Sequence, residues 1–405
     1  MVILKIGWVD FSDKEKRIIN GLIKAMQDTG TRDELGLGTV RDFFSNRFFP
    51  GIIVIQTRAR YFLLIPWIYS ELEQEGVSSA KIEGKGRERE VWLMDELKAG
   101  GETTGIIGGA AGKNIMRLPS DIYWPGLCTW DIFQPGKVNY ATRDLYHASL
   151  DEIYRRRKSE SRDEADEVIY SDNLETWHHS LPDPPDDFMD ETTFRLTRAE
   201  AEFLKERIQD NCSGKLLEFF VSNQVPDLGT VPYLWETGLE LPSDIAKQVD
   251  YAERFSLLMH GSQILYNIYV SRLMGEGYDY EWISEVMDEW FQEYRNILAV
   301  RGDWSPESLP GIGARVDRRT SRFCREWHGI ASSLSEWTEL LEPGHKAVNL
   351  IHGREHYLKG NRARMVSQEA RDRWNGSSGM SRLDFRWRVA RNIISDIVEG
   401  LGINA

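Results

Sequence analysis

In "IHGREHYLKGNRARM", residues 351 to 365, His352, Glu355 and His356 stand at the H-x-x-E-H spacing. At that spacing two histidines can bind zinc while a glutamate activates a water. On a helix, residues i and i+4 share a face, so one ion could reach both imidazoles. Two features oppose the metal. Arg354, Lys359, Arg362 and Arg364 crowd the same stretch and would repel a dication, and only Glu369 and Glu399 lie downstream as a third glutamate ligand. The expectation is no metal and no cofactor, with His352 and His356 as the weak metal candidates.

A helical wheel of roughly 100° per residue gives a different use for the same residues. Ala347, Val348, Leu358, Met365 and Val366 fall on the side of Ile351, and Glu355 and Arg362 fall inside that apolar arc. A buried carboxylate or guanidinium is costly unless paired. Either the two residues lock the helix to its neighbours, or they line a polar cleft. In a cleft, Glu355 could serve a hydrolase. Arg354, Lys359, Arg362 and Arg364 could grip phosphates, Tyr357 and Trp374 could stack on bases, and Arg386 and Arg388 of "FRWRVAR" would extend the track. Arg58 and Arg60 in "QTRARYF" pose a similar choice, one as an interdomain salt bridge and the other exposed, and both stand as nucleic-acid-binding candidates.

Other motifs fail on their chemistry. In "GIIGGAAGKN" the phosphate-loop pattern lacks its first glycine, since position 107 is isoleucine, and its hydroxyl, since Asn114 follows Lys113. "GSSGMS" does not form the serine-hydrolase elbow. His260 reads as a core histidine, and His178 and His179 as solvent-exposed by context.

Composition bounds the class. The 405 residues, 41% hydrophobic and 28% charged with a mean hydropathy of -0.45, describe a globular chain of about two domains. The opening "MVILKIGWVDFSDK" is broken by Lys5 and Asp10, and "YFLLIPWIY" is about half a membrane span, so a cytoplasmic location is expected. Cys128, Cys212 and Cys324 are too scattered for a disulfide framework. The net charge of -14 is uneven. Residues 352 to 391 hold ten Lys or Arg against four acids, whereas residues 160 to 191 hold twelve acids against one arginine. Such asymmetry means an anionic partner for the basic end or internal pairing.

The elements are mainly helical. Ser12 with Glu15 and Thr197 with Glu200 form capping boxes ahead of apolar-periodic runs, and Thr39 with Asp42 opens a short helix that Pro50-Gly51 stops. Arg32, Asp33 and Glu34 read as a cap and surface pair. Pro66 kinks a helix or marks its start. Pro182, Pro184 and Pro185 bar a helix in the acidic segment. The expected fold is mainly α. An N-terminal helical domain spans 1–158 and is open to a helix-turn-helix-like reading. An acidic, Pro-rich linker spans 159–193, and a C-terminal helical domain with a basic end spans 194–405.

"DFS", "TRDELG", "FFPG", "QTRARYF", "LPSDIYW" and "LKGNRAR", in order along nearly the whole chain, resemble a bacterial family catalogued as a domain of unknown function. The resemblance implies a cytoplasmic protein of unassigned activity, loosely associated with antiviral defence loci that include helicases and nucleases. It assigns no catalytic residues. The expected function is a nucleic-acid-associated or partner-binding component of an antiphage system, meeting DNA or RNA and helicase or nuclease proteins. The alternatives are a hydrolase around Glu355 and a scaffold whose basic end docks its own acidic segment.

Overall fold

The computed structural model describes residues 33–134, 142–163, 176–190, 192–275, 281–302, 304–306 and 316–402, the side chains of 158–163 excepted. The expected helix after Ser12, and with it the helix-turn-helix-like pair, lies outside the described residues, as do 164–175 of the acidic segment. Among the described residues the fold is mainly α. Thirteen helices carry it and strand pairing is confined to one bridge between Phe133 and Trp177. They are α1 Gly38–Phe48, α2 Tyr61–Gln74, α3 Ile82–Ala99, α4 Pro119–Thr129, α5 Arg143–Asp163, α6 Arg198–Asn211, α7 Leu216–Ser222, α8 Ser243–Met274, α9 Glu281–Arg301, α10 Arg318–Ser333, α11 Lys346–Lys359, α12 Gln368–Asp372 and α13 Trp387–Gly400.

Two compact units divide the chain, each discontinuous in sequence. The first joins Met1–Phe44 to Glu240–Phe385, and the second joins Ser45–Leu239 to Arg386–Ala405. In the first unit, α8 is the core element, with α9, α10 and α11 packed on it. Its glycine has a steric reason, since a Cβ on Gly261 would come within 2.2 Å of the Trp290 ring. The Trp290 and Trp327 indoles donate to the Leu257 and Leu258 carbonyls of α8 at 2.8 and 2.7 Å, which lets two large aromatics be buried with their N–H groups satisfied.

In the second unit, α2 is buried over its whole first half, from Tyr61 to Tyr69. A helix apolar on every side belongs at a core centre, and α3 and α4 pack on it. Pro66 sits inside α2, which starts five residues earlier at Tyr61. At the N-terminus of α6 the expected capping box forms. Thr197 Oγ1 accepts from the Glu200 N–H at 3.3 Å and Glu200 Oε2 accepts from the Thr197 N–H at 2.9 Å. At α1 the acceptor is Asp33, which takes the Leu37 N–H at 2.6 Å and the Gly38 N–H. The apolar stripe of α13, including Trp387, Ile393, Ile394 and Ile397, packs on α6 and α7.

The acidic segment 159–193 falls within this second unit. Its described part is anchored: Trp177 is buried, and the Trp67 indole donates to the Pro182 carbonyl at 2.7 Å. His178, expected in solvent, is buried. Its backbone N–H donates to the Ile132 carbonyl at 2.9 Å and its Nδ1 accepts from the Ser180 N–H at 3.1 Å. Prolines and acids forbid a helix, but they do not prevent aromatic side chains between them from entering a core.

Glu90 of α3 is fully buried and caps α4. Its Oε2 accepts from the Ser120 N–H at 2.8 Å, and its Oε1 accepts from Ser120 Oγ at 2.7 Å and from the Tyr69 hydroxyl at 3.2 Å. Burial pushes its carboxyl from 4.5 up to about 7 in spite of these donors. The folded chain therefore keeps a proton that the unfolded chain releases. The associated stability is complete below about pH 4.5 and declines as pH rises through about 7. Denaturant titrations at pH 5 and pH 8 should show a larger pH effect in the wild type than in Glu90→Gln, and equal slopes would exclude Glu90 as the titrating group.

Candidate functional site

The helix carrying H-x-x-E-H is α11. It buries Ala347, Ile351, Arg354 and Glu355, and it ends at Lys359 because Gly360 turns to a φ of +56°. Glu355 is wholly inaccessible. Its Oε1 accepts from the Tyr266 hydroxyl of α8 at 2.6 Å, from Lys359 Nζ at 3.0 Å and from the Arg364 N–H at 2.9 Å, while Oε2 accepts from the Met365 N–H at 3.0 Å. Burial pushes its pKa up, but the Tyr266 hydroxyl, the two backbone N–H groups and the Lys359 charge overcome it and hold it below the usual carboxylate range. Both oxygens are engaged. A general base needs a lone pair within reach of a substrate proton, and this carboxylate is instead spent on closing the turn after α11.

A second carboxylate extends the network. Glu34, expected at the surface, is buried, with its Oε1 2.7 Å from Arg364 Nη1 and its Oε2 paired with Lys359 Nζ. Arg354, also buried, donates through Nε to the Leu35 carbonyl at 2.7 Å and through Nη2 to the Gly36 carbonyl at 2.9 Å and Thr320 Oγ1 at 2.7 Å. Three cations proposed to grip phosphate, Arg354, Lys359 and Arg364, thus have their donors directed into the first unit. Arg362 has a different fate. The wheel placed it on the buried stripe, but the helix has already ended at Gly360, so Arg362 lies in a one-turn 3-10 segment, exposed and without a side-chain partner among the described residues.

In the second unit, Arg58 and Arg60 precede α2 instead of lying on it, and both are paired. Arg58 meets Asp396 of α13, with Nε 3.0 Å from each carboxylate oxygen and Nη2 2.9 Å from Oδ1. Arg60 donates to Glu200 Oε1 at 2.8 Å and to the Thr193 carbonyl at 2.8 Å. Neither is the exposed member of the pair that the i, i+2 spacing suggested. Arg386 donates to Asn46 Oδ1 at 2.8 Å and the Ile52 carbonyl at 2.7 Å, whereas Arg388 is exposed with no side-chain partner among the described residues. Trp374, offered as a stacking face, is buried and donates to Asn267 Oδ1 at 2.9 Å.

Outward of this network, His352 and His356 lie on the water side of α11 with rings parallel and their centroids 6.2 Å apart. Among the described residues no three His, Cys, Asp or Glu side chains form a metal-holding group. Beside them stands α10, whose sequence "RRTSRFCREW" carries four arginines in eight positions. Asp317 caps it, accepting from the Arg319 and Thr320 N–H groups at 2.9 and 3.0 Å. Phe323, Cys324, Trp327 and Ile330 face the core, leaving Arg318, Arg319, Arg322 and Arg325 exposed. The Arg319 guanidinium lies 4.2 Å over the half-exposed ring of Tyr357, joining α10 to α11 in one cationic, aromatic face. The sequence signal for this face is the charge run itself, four arginines and no acid from residue 318 to 325.

The architecture is that of a mainly helical protein in which no described helix is long and apolar enough to cross a membrane. The chain belongs to DUF6361, a family of unknown function, whose profile matches residues 3–400. Comparisons with curated proteins and with solved structures find no match.

The Glu355 network makes a direct prediction. Removing one partner of a buried, hydrogen-bonded ion leaves the others unpaired at a cost of about 3–5 kcal/mol. Glu355→Ala should lower the urea midpoint of the first unit by a corresponding amount. Tyr266→Phe, which deletes one donor, should cost about 1–2 kcal/mol. Because the Glu355 pKa is lowered on folding, its contribution is present above the ordinary carboxylate pKa and is lost as pH falls. A Glu355→Ala protein as stable as the wild type at neutral pH would refute the lock.

Proposed function

We propose that the protein is a nucleic-acid-associated component of a bacterial antiphage defence system, acting in the cytoplasm beside helicase or nuclease proteins. The observation that supports nucleic-acid contact is the α10 face. Arg318, Arg319 and Arg322 are exposed on one helix, and the nearest opposing charge on it, Glu326, is itself at the surface and 2.7 Å from Arg322 Nε. Surface pairs of this kind contribute little and exchange readily, so a phosphate can displace Glu326. Arg362, in the same unit, adds a further unpartnered cation. Tyr357, under Arg319, supplies a flat surface for a base or ribose. The defence setting and the helicase or nuclease partners follow from the family resemblance; the geometry bears on nucleic-acid contact alone.

Phosphate neutralisation releases counterions, so binding of this kind weakens steeply with salt, by about 0.9 in the log–log slope for each contact to duplex DNA. Fluorescence anisotropy with labelled DNA and RNA oligonucleotides should detect binding at low salt. In the double variant Arg318→Glu, Arg322→Glu, affinity should fall at least about tenfold and the salt slope should drop by about two. Arg198→Glu, an exposed change in the second unit, should leave both unchanged. Absence of binding at low salt, or indifference to the α10 reversals, overturns the proposal.

A further inference from the structure

We propose that the second unit holds a binding site for a small zwitterion carrying a second cationic group, a molecule of the chemistry and size of a basic amino acid. The site is a crevice of about 540 Å³ along the C-terminal half of α13, within the range of small-molecule pockets. It is independent of the α10 face, which belongs to the other unit.

Its walls are fixed before any ligand arrives. Asn392, Ser395, Asp396 and Glu399 stand at i, i+3, i+4 and i+7, so they form one stripe of α13. The opposite wall is the 225–230 segment, tied to α13 where Val231 accepts from the Trp387 indole at 3.0 Å and from Arg391. The floor is the Arg58–Asp396 pair. Asp396 is 8% exposed and also accepts from the Ala59 N–H at 2.8 Å. It holds Arg58 through Nε and Nη2, which leaves Nη1 with only a 3.9 Å approach to Glu102. That edge of the guanidinium is available to an anion.

The remaining lining groups determine what else is recognised. Thr104, Asp227, Asn392, Ser395 and Glu399 make no side-chain hydrogen bond among the described residues. The free guanidinium edge shares this lining with two carboxylates that make no hydrogen bond, Asp227 and Glu399, the second close enough for its charge to act on Arg58. A carboxylate on the ligand satisfies Arg58, and two cationic groups satisfy the acids, with the hydroxyl and amide groups completing the donor and acceptor set. A phosphate or dicarboxylate fits poorly, because the single cation is already shared with Asp396 and the two acids repel added negative charge. No aromatic ring lines the crevice to stack a base or sugar, whereas the partly exposed Val225 offers surface to an aliphatic chain.

Thermal-shift and calorimetric titrations of the full chain with L-lysine and L-arginine test the assignment, with putrescine and L-glutamate as counter-probes. Lysine or arginine should raise the unfolding midpoint saturably, and putrescine and glutamate should be at least about tenfold weaker, a loss of about one salt-bridged hydrogen bond. Glu399→Gln should weaken lysine binding by about tenfold and Ser395→Trp, which fills the crevice from a partly exposed position, should abolish it while circular dichroism stays unchanged. No saturable response to either amino acid overturns the proposal. So does equal binding of putrescine, which lacks the carboxylate, or of glutamate, which lacks the second cation, and so does binding that survives both variants.

Discussion

A carboxylate removed from water has to be given donors, and this protein meets that demand several times over. Glu34 and Glu355 in the first unit, and Glu200 and Asp396 in the second, are buried with ion pairs to arginine or lysine, while Glu90 is buried among hydroxyls and a backbone N–H. Each of these pairs fixes where a loop or a helix end sits. Glu355 closes the turn after α11, Glu200 both caps α6 and holds Arg60, and Asp396 ties α13 to the stretch before α2. Replacing a whole buried ion pair by apolar residues is often neutral, but removal of one partner alone strands the other charge in the interior.

The same constraint sorts the cations. An arginine committed to an internal carboxylate or carbonyl is scaffolding, however basic its neighbourhood looks in one dimension. The stretch from His352 to Arg391 is the most basic in the chain, yet Arg354, Arg364 and Arg386 point inward and Lys359 is doubly paired. The partners of these groups are Glu34, Glu355, Asn46, Thr320, Tyr266 and backbone carbonyls, so all but Glu355 come from other parts of the sequence, and Glu34 is the one among those that brings negative charge. Besides Arg362 and Arg388, what faces water is a shorter run on α10, where apolar residues occupy one side so completely that the arginines have only the other side left.

Much of the fold was legible. Apolar periodicity located α6, α8 and α9, and the Thr197–Glu200 box gave the start of α6. The helical class follows from these patterns alone. The site was far less legible, because burial of a charge depends on partners remote in sequence: Arg58 and Asp396 are 338 residues apart, and Arg354 and the Leu35 carbonyl are 319 apart. No window around Arg58 or Arg354 contains that information. Arg362 was misplaced for the opposite reason, since the wheel was extended past a local stop signal, Gly360, that the sequence does display. His178 was misplaced because charge and proline content describe the backbone of the acidic segment without saying which of its aromatic rings turns inward.

Each unit is assembled from two separated stretches, with the chain changing unit at residues 44–45, 239–240 and 385–386. The last of these crossings has an order of events built into it. During synthesis, α6 and α7 leave the ribosome long before α13, whose Trp387, Ile393 and Ile397 cover them. Their apolar faces must therefore wait, exposed, while about 165 further residues are made, at translation speeds of about 5–20 residues per second a delay of many seconds. The second unit is in this sense the last to close although most of it is the first to be made, and a nascent chain arrested before Arg386 would present that uncovered surface to chaperones and proteases.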